Sequence, residues 1–153
     1  MKTDLLSSLA AFLAAVAEAP HPDAVAEALV CGPGAHFGGR SGAVLAARPP
    51  LLLIHGLYGY ADSEVTGLES LPLDGDYPLC RAYFEGEVLI DDNATVGTRY
   101  TEMDRPDGRW QRLRSRMPEG TTVSAPVTSG GRIVGAYALG CEGRHDWSTR
   151  DLA

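Results

Sequence analysis

The chain has 153 residues, 44% of them hydrophobic and 22% charged, which fits one compact globular domain with a real core and excludes global disorder. Its formal net charge is −7, and the arginines between Arg99 and Arg116 are interleaved with acidic residues, so no direct nucleic-acid partner is expected. No apolar run reaches the roughly 18 residues of a membrane span. The three cysteines, Cys31, Cys80 and Cys141, are far apart and form no CxxC pair. Such usage points to a reducing compartment, hence a cytoplasmic location, without a disulfide framework or a zinc site.

In chain order, Leu5, Leu9, Phe12, Leu13 and Val16 form a stripe at helical spacing, with Thr3 or Asp4 as N-cap and Pro20 as the stop. A helix reads better here than a signal peptide, because Lys2 is followed at once by Asp4. A second helix starts with Pro22 in its first turn and ends at Gly32. The Gly/Pro-rich segment from Gly32 to Gly39 reads as a loop. Two β-rich runs follow, Gly42–Ala47 and Leu51–Tyr58, joined tightly through Arg48-Pro49-Pro50 as a hairpin. Leu51-Leu52-Leu53-Ile54 is apolar on both faces and predicts a central strand.

From Gly59 to Tyr77 no period stands out. A short helix is expected from about Tyr77 to Phe84, closed by Gly86, and then a short strand at Val88-Leu89-Ile90. The stretch from Asp91 to Gly120 is polar, although Trp110, Leu113 and Met117 have the spacing of a short amphipathic helix. Val123, Ala125 and Val127 alternate, Thr128-Ser129-Gly130-Gly131 turns, and Ile133, Gly135, Tyr137 and Leu139 alternate again. This predicts an antiparallel hairpin, and the apolar residues on both faces of Ile133 to Leu139 put it at or next to the middle of the sheet. Ser148-Thr149-Arg150-Asp151 resembles a capping box that opens a helix, which suggests that the natural protein continues past Ala153. The fold class expected is α+β, with helices packed around an antiparallel sheet of about five to six strands.

The segment Leu71-Pro72-Leu73-Asp74-Gly75-Asp76-Tyr77-Pro78, then Cys80-Arg81-Ala82 and Gly86-Glu87, resembles the middle of bacterial GAF domains. Ser124-Ala125-Pro126-Val127, Gly130-Gly131, Val134-Gly135-Ala136 and Trp147-Ser148-Thr149-Arg150-Asp151 are similar to that family's closing hairpin and final helix. The likeness runs in order through nearly the whole chain and extends to GAF modules of transcription regulators. It implies helices on one face of the sheet and a ligand cavity on the other, between the sheet and the segment from Gly59 to Trp110. It also implies a sensor domain that couples an unknown small-molecule ligand to an output domain in the same full-length chain. Departures narrow it. No Asn-Lys pair lies near the last turn and Leu152 stands where cyclic-nucleotide binders carry Glu. Cys80 matches neither cysteine pattern of bilin-binding members, and the cysteines of members that reduce free methionine sulfoxide do not map onto Cys31, Cys80 and Cys141.

By position, Leu53, His55, Tyr77, Leu79, Ala82, Trp110, Ser124, Pro126 and Tyr137 are the candidates to line the cavity, and Arg81 and Arg99 the candidates to clamp an anionic ligand. Against the clamp stands the plain alternative of solvated arginines. His21, His36, His55 and His145 lack metal-ligand spacing, so no metal and no cofactor is expected. Cys80, beside Arg81 at a helix start, is either an activated thiol or a core residue under the helix. Ser124 lies in a strand without a nucleophile elbow, and Asp74/Asp76 and Asp91/Asp92 suit turns and caps. The chain is therefore expected not to be an enzyme. Two other readings remain open: a dimerisation or interaction module without ligand, and a thiol-based methionine sulfoxide reductase. The N-terminal stripe of Leu5, Leu9, Phe12 and Val16 needs a cover, which predicts a homodimer through that helix.

Overall fold

The computed structural model describes residues 2–104 and 119–143. The predicted amphipathic helix at Trp110–Met117 and the capping box at Ser148–Asp151 lie outside the described residues. Two helices open the chain, α1 over Lys2–Glu18 and α2 over Pro22–Cys31, followed by a 3-10 turn at Pro33–Phe37 where sequence suggested only a loop. Strand β1 is Gly39–Arg48 and β2 is Leu51–Tyr58; α3 spans Asp62–Val65, β3 Ser70–Pro72, α4 Pro78–Glu85 and β4 Leu89–Asp92. Then come α5, Val96–Arg99, a 3-10 turn at Thr101–Asp104, and the hairpin of β5, Thr121–Ser129, with β6, Arg132–Cys141.

The six strands form one sheet in the order β3-β2-β1-β6-β5-β4, and all of its pairings are antiparallel. Strands β1 and β6 occupy the middle with β5 beside them, so the last hairpin lies at the centre of the sheet as expected. Strand β2 is a correction: it is paired on both sides but stands one place from the edge, because β3 is the outer strand. Apolar residues on both faces report that both faces are covered, not that the strand is central. Strand β3 escaped the sequence reading since it has three residues and ends in Pro72, which suits an edge position.

Each face of the sheet has its own core. On one face α2 packs across β1 and β2, and α1 leans on α2 rather than on the sheet. Val30, Val123, Leu139 and Cys141 form this core, with Phe37, Tyr58 and Ile90 at its border. Proline starts α2, the His21 side chain accepts the Ala24 amide at its N-cap, and Asp23 Oδ1 accepts the Leu57 amide at 2.8 Å. Gly56 allows this seating, because a Cβ there would stand 2.2 Å from the Pro22 carbonyl oxygen.

The opposite face carries the larger core, including Leu45, Leu52, Leu71, Leu79, Cys80, Val96 and Tyr100. Helix α4, part of the segment from Gly59 to Trp110 expected to cover the cavity side, crosses β5 and β6 on this face. Helix α4 starts at Pro78 with Tyr77 as N-cap and stops at Gly86, whose φ of 69° is a left-handed C-cap that favours glycine. Its inward residues Leu79, Cys80 and Ala82 are buried. Burying a leucine such as Leu52 completely contributes about 2–3 kcal/mol.

Candidate functional site

Between this second face and the segments that cross it lies a cavity of about 120 Å³. Its floor is the sheet: Ser41, Ala43 and Leu45 of β1, Ile54 and Leu57 of β2, Thr122 and Ser124 of β5, and Ala138 and Gly140 of β6. Tyr60, Val65, Leu68 and Leu71 form one wall, Tyr77, Pro78 and Leu79 at the start of α4 form another, and Asn93, Val96 and Met103 close the third. Small residues dominate β6 at this floor. Ala138 and Gly140 face the cavity here, and Ala136, on the same side, is packed in the adjoining core.

Two irregularities decide which side chains reach the cavity. The β1–β2 register slips between Val44 and Leu45, pairing Val44 with Gly56 and Leu45 with Ile54. His55 is the extra residue of this bulge and is exposed. Because of the slip, Ile54 and Leu57 share the cavity side although they are three positions apart. Leu53, opposite Ala46, falls on the α2 side. Tyr137 pairs with Val44 and Ala125, and its neighbours Ala136 and Ala138 belong to the cavity-side core, so its ring lies on the far face.

Of the candidates named from sequence, Tyr77, Leu79 and Ser124 line the cavity. Leu53, His55 and Tyr137 do not, for the reasons just given. Ala82 is buried one turn farther along α4, and Pro126 pairs with Ala136 farther along the floor; neither reaches the lining. Trp110 is outside the described residues. Ser41, Ala43, Leu45, Asn93 and Val96 were missed. Alternation along Ser41, Ala43 and Leu45 was available as a signal, but nothing local in the sequence says which face is hollow.

The arginines serve each other's neighbourhood rather than the cavity. Arg81 Nη2 donates to Asp76 Oδ1 at 2.9 Å, and Arg99 Nη1 donates to Asp91 Oδ1 at 2.5 Å. Both guanidinium groups stand over the ring of buried Tyr100, at 4.9 and 5.4 Å from its centroid. Asp76 Oδ2 accepts the Thr101 amide at 2.9 Å and its hydroxyl at 3.1 Å, and Tyr77 OH donates to Glu102 Oε2 at 3.3 Å. These bonds tie the wall at α4 to the wall at α5 and the 3-10 turn after it. The Thr101 amide, above all, holds the Asp76 carboxyl below its ordinary range, while burial pushes Asp91 up and Arg99 pulls it partly back.

Neither buried cysteine is an activated thiol. Cys80 is buried, donates its Sγ hydrogen to the Pro72 carbonyl at 3.3 Å, and is pushed up to about 12 by burial and then by Asp74. The start of a helix and the adjacent arginine would lower a thiol at the surface, but burial outweighs both here. Cys141 belongs to the core on the other face of the sheet and is pushed up to about 11 by burial; Cys31 is exposed. Among the described residues no group of His, Cys, Asp and Glu is arranged to hold a metal ion, and no helix is long and apolar enough to cross a membrane.

No protein-family model matches the sequence, and no curated protein matches it. Solved structures do match. The GAF domain of a phosphoenolpyruvate-protein phosphotransferase from Coxiella burnetii aligns with a TM-score of 0.72 at 12% identity, over 97% of this chain and 84% of that one. The GAF domain of a two-component sensor histidine kinase from Bacillus halodurans aligns at 0.54 with 17% identity, over 74% and 71%. A type II free methionine-R-sulfoxide reductase from Thermoplasma acidophilum aligns at 0.58 with 13% identity, over 85% and 78%. At such identities the likeness concerns the fold, and it includes both sensory and catalytic proteins.

Proposed function

We propose, on the premise that the fold is GAF-like, that this chain is a sensor domain whose cavity takes up a small molecule. The observation that carries the reading is the cavity itself, apolar over most of its lining and walled by segments joined through a few polar bonds. Ligand contacts with α4 and α5 at once would favour one arrangement of these walls, and coupling to an output domain in the full-length chain follows as a population shift. The neighbour within a sensor histidine kinase supports this role. So does the resemblance to modules of transcription regulators, with control of transcription as the finer form of the proposal. A cytoplasmic setting accords with three free cysteines. The test is native mass spectrometry of the purified protein. A retained small molecule, displaced when the chain is unfolded, is the expected result. A protein that carries nothing, and whose melting temperature responds to no member of a metabolite panel, would overturn the reading.

Catalysis by a cysteine is the less favoured role. Cys80 and Cys141 sit in cores on opposite faces of the sheet, so neither can resolve a sulfenic acid on the other without unfolding. Sustained reduction of free methionine sulfoxide that disappears in Cys80→Ser would establish the enzyme instead. Association through α1 is a second reading with its own observation: Leu9 and Leu13 are 44% and 59% exposed on that helix, while Phe12 and Val16 are half-buried. Deleting the residues before Pro20 then converts a dimer to a monomer in sedimentation, and an unchanged mass removes the idea.

A further inference from the structure

We infer that the cavity selects an uncharged, largely apolar molecule about one ring in size, oriented by a hydrogen bond to Ser124 Oγ. This rests on the reading of the cavity as a ligand site and adds the chemistry of the ligand.

Ser124 is 1% exposed, lines the cavity, and its hydroxyl meets no hydrogen-bond partner among the described residues. Buried hydroxyls in folded proteins nearly always have one, so a hydroxyl facing a hollow without a partner marks where a ligand group belongs. Its cross-strand neighbours are Leu89 and Ala138, which offer no polar side chain. The other hydroxyl of β5 at the cavity is already engaged, since Thr122 Oγ1 donates to Asn93 Oδ1 at 2.8 Å. Of the two β5 hydroxyls at the cavity, Ser124 is thus the one left to direct a ligand, and as a hydroxyl it both donates and accepts.

Charge is selected against. No Asp, Glu, Lys, Arg or His is among the described residues of the lining. The two arginines of the neighbouring helices are held by Asp76 and Asp91. A carboxylate or phosphate entering here would leave water without a cation to receive it, and that desolvation outweighs what one serine hydroxyl returns. Size points the same way. Cavities of this order accept a single six-membered ring, and an apolar lining holds such a ring without water.

Phenol, benzene and benzoate separate the three determinants when titrated into the whole chain, with binding read by amide chemical shifts and by calorimetry. Phenol is expected to bind and to shift the amides of Ser124, Ala138 and Leu45. Benzene should bind about three- to tenfold more weakly, the value of one neutral hydrogen bond, and benzoate more weakly still. Ser124→Ala should bring phenol down to the affinity of benzene while leaving benzene unchanged, a comparison that a merely destabilised variant would not reproduce. If benzoate binds as well as phenol, or Ser124→Ala leaves the phenol-to-benzene ratio intact, the inference about ligand class fails and the site stands. If no probe binds, or the shifts fall elsewhere, the cavity is not a ligand site and the sensor reading fails with it.

Discussion

Removing Arg99 should cost more than removing its partner Asp91, although the two form one ion pair. The Asp91 side chain is fully buried, whereas that of Arg99 is 49% exposed. Arg99→Met leaves a carboxylate in the core without its cation; Asp91→Asn leaves a guanidinium that can turn toward water. Removing one partner and leaving a buried charge uncompensated costs about 3–5 kcal/mol, and the half-exposed site of the arginine lowers this by screening, so we expect about 2–3 kcal/mol for Arg99→Met near neutral pH. For Asp91→Asn about 1 kcal/mol is expected. The pH dependence carries the sharper signature. Burial already raises Asp91 above its ordinary value of 3.8, so the native state holds that proton more tightly than the unfolded state. This contribution is fully present below the unfolded value and is lost as pH rises through the native one. Without Arg99 the native value rises further, so the deficit of Arg99→Met should be small near about pH 4 and grow toward neutrality, by about 1.4 kcal/mol per unit of added shift. Urea denaturation of wild type, both single variants and the double variant, from acid to neutral pH, measures this. The double variant should recover much of the loss and flatten the profile. A deficit for Arg99→Met that is equal at all pH values, or costs that simply add in the double variant, would refute the reasoning.

Asp76→Asn should destabilise by about 1 kcal/mol at neutral pH, the screened value of its bonds to Thr101 and Arg81. Since the native carboxyl is lowered, its contribution is present above the unfolded value and lost as pH falls through the native one, so wild type and variant should converge in acid denaturation series. In the same variant the Thr101 amide should exchange faster with solvent, and an unchanged rate would show that the bond is not what ties the two walls. Alkylation with iodoacetamide near about pH 8 should modify Cys31 quickly. Cys80 and Cys141, pushed up to about 12 and about 11, should react only when the protein opens. Equal rates at Cys80 and Cys31 would restore an activated thiol.

Much of the fold was legible because its signals are local. Pro22 and Gly32 bound α2, Pro78 and Gly86 bound α4, and alternation with a glycine turn defines the β5–β6 hairpin; each is a matter of φ, missing amides or a two-residue period. The arginines of Arg81 and Arg99 were visible as charge, but their engagement was not. Their partners Asp76 and Asp91 look like turn and cap residues in the text of the chain, and only folding buries Asp91 on β4 and brings Arg99 to it.

Alternation by itself divides β6 into Tyr137 and Leu139 on one side and Ala136 and Ala138 on the other, and that division is correct. Which side is hollow is not in the pattern. Tertiary packing decided it: α2 lies against the sheet on one face, while the segments that close over the other leave a cavity above Ala138 and Gly140. The bulge at His55 likewise moves Leu57 to the cavity side and leaves the histidine in solvent, reversing what a strict period from Leu53 predicts. A bulge is chosen by the strand's partners, through the seating of Gly56 on Pro22 and the bond from the Leu57 amide to Asp23. Those partners lie more than thirty residues away, where no local period can register them.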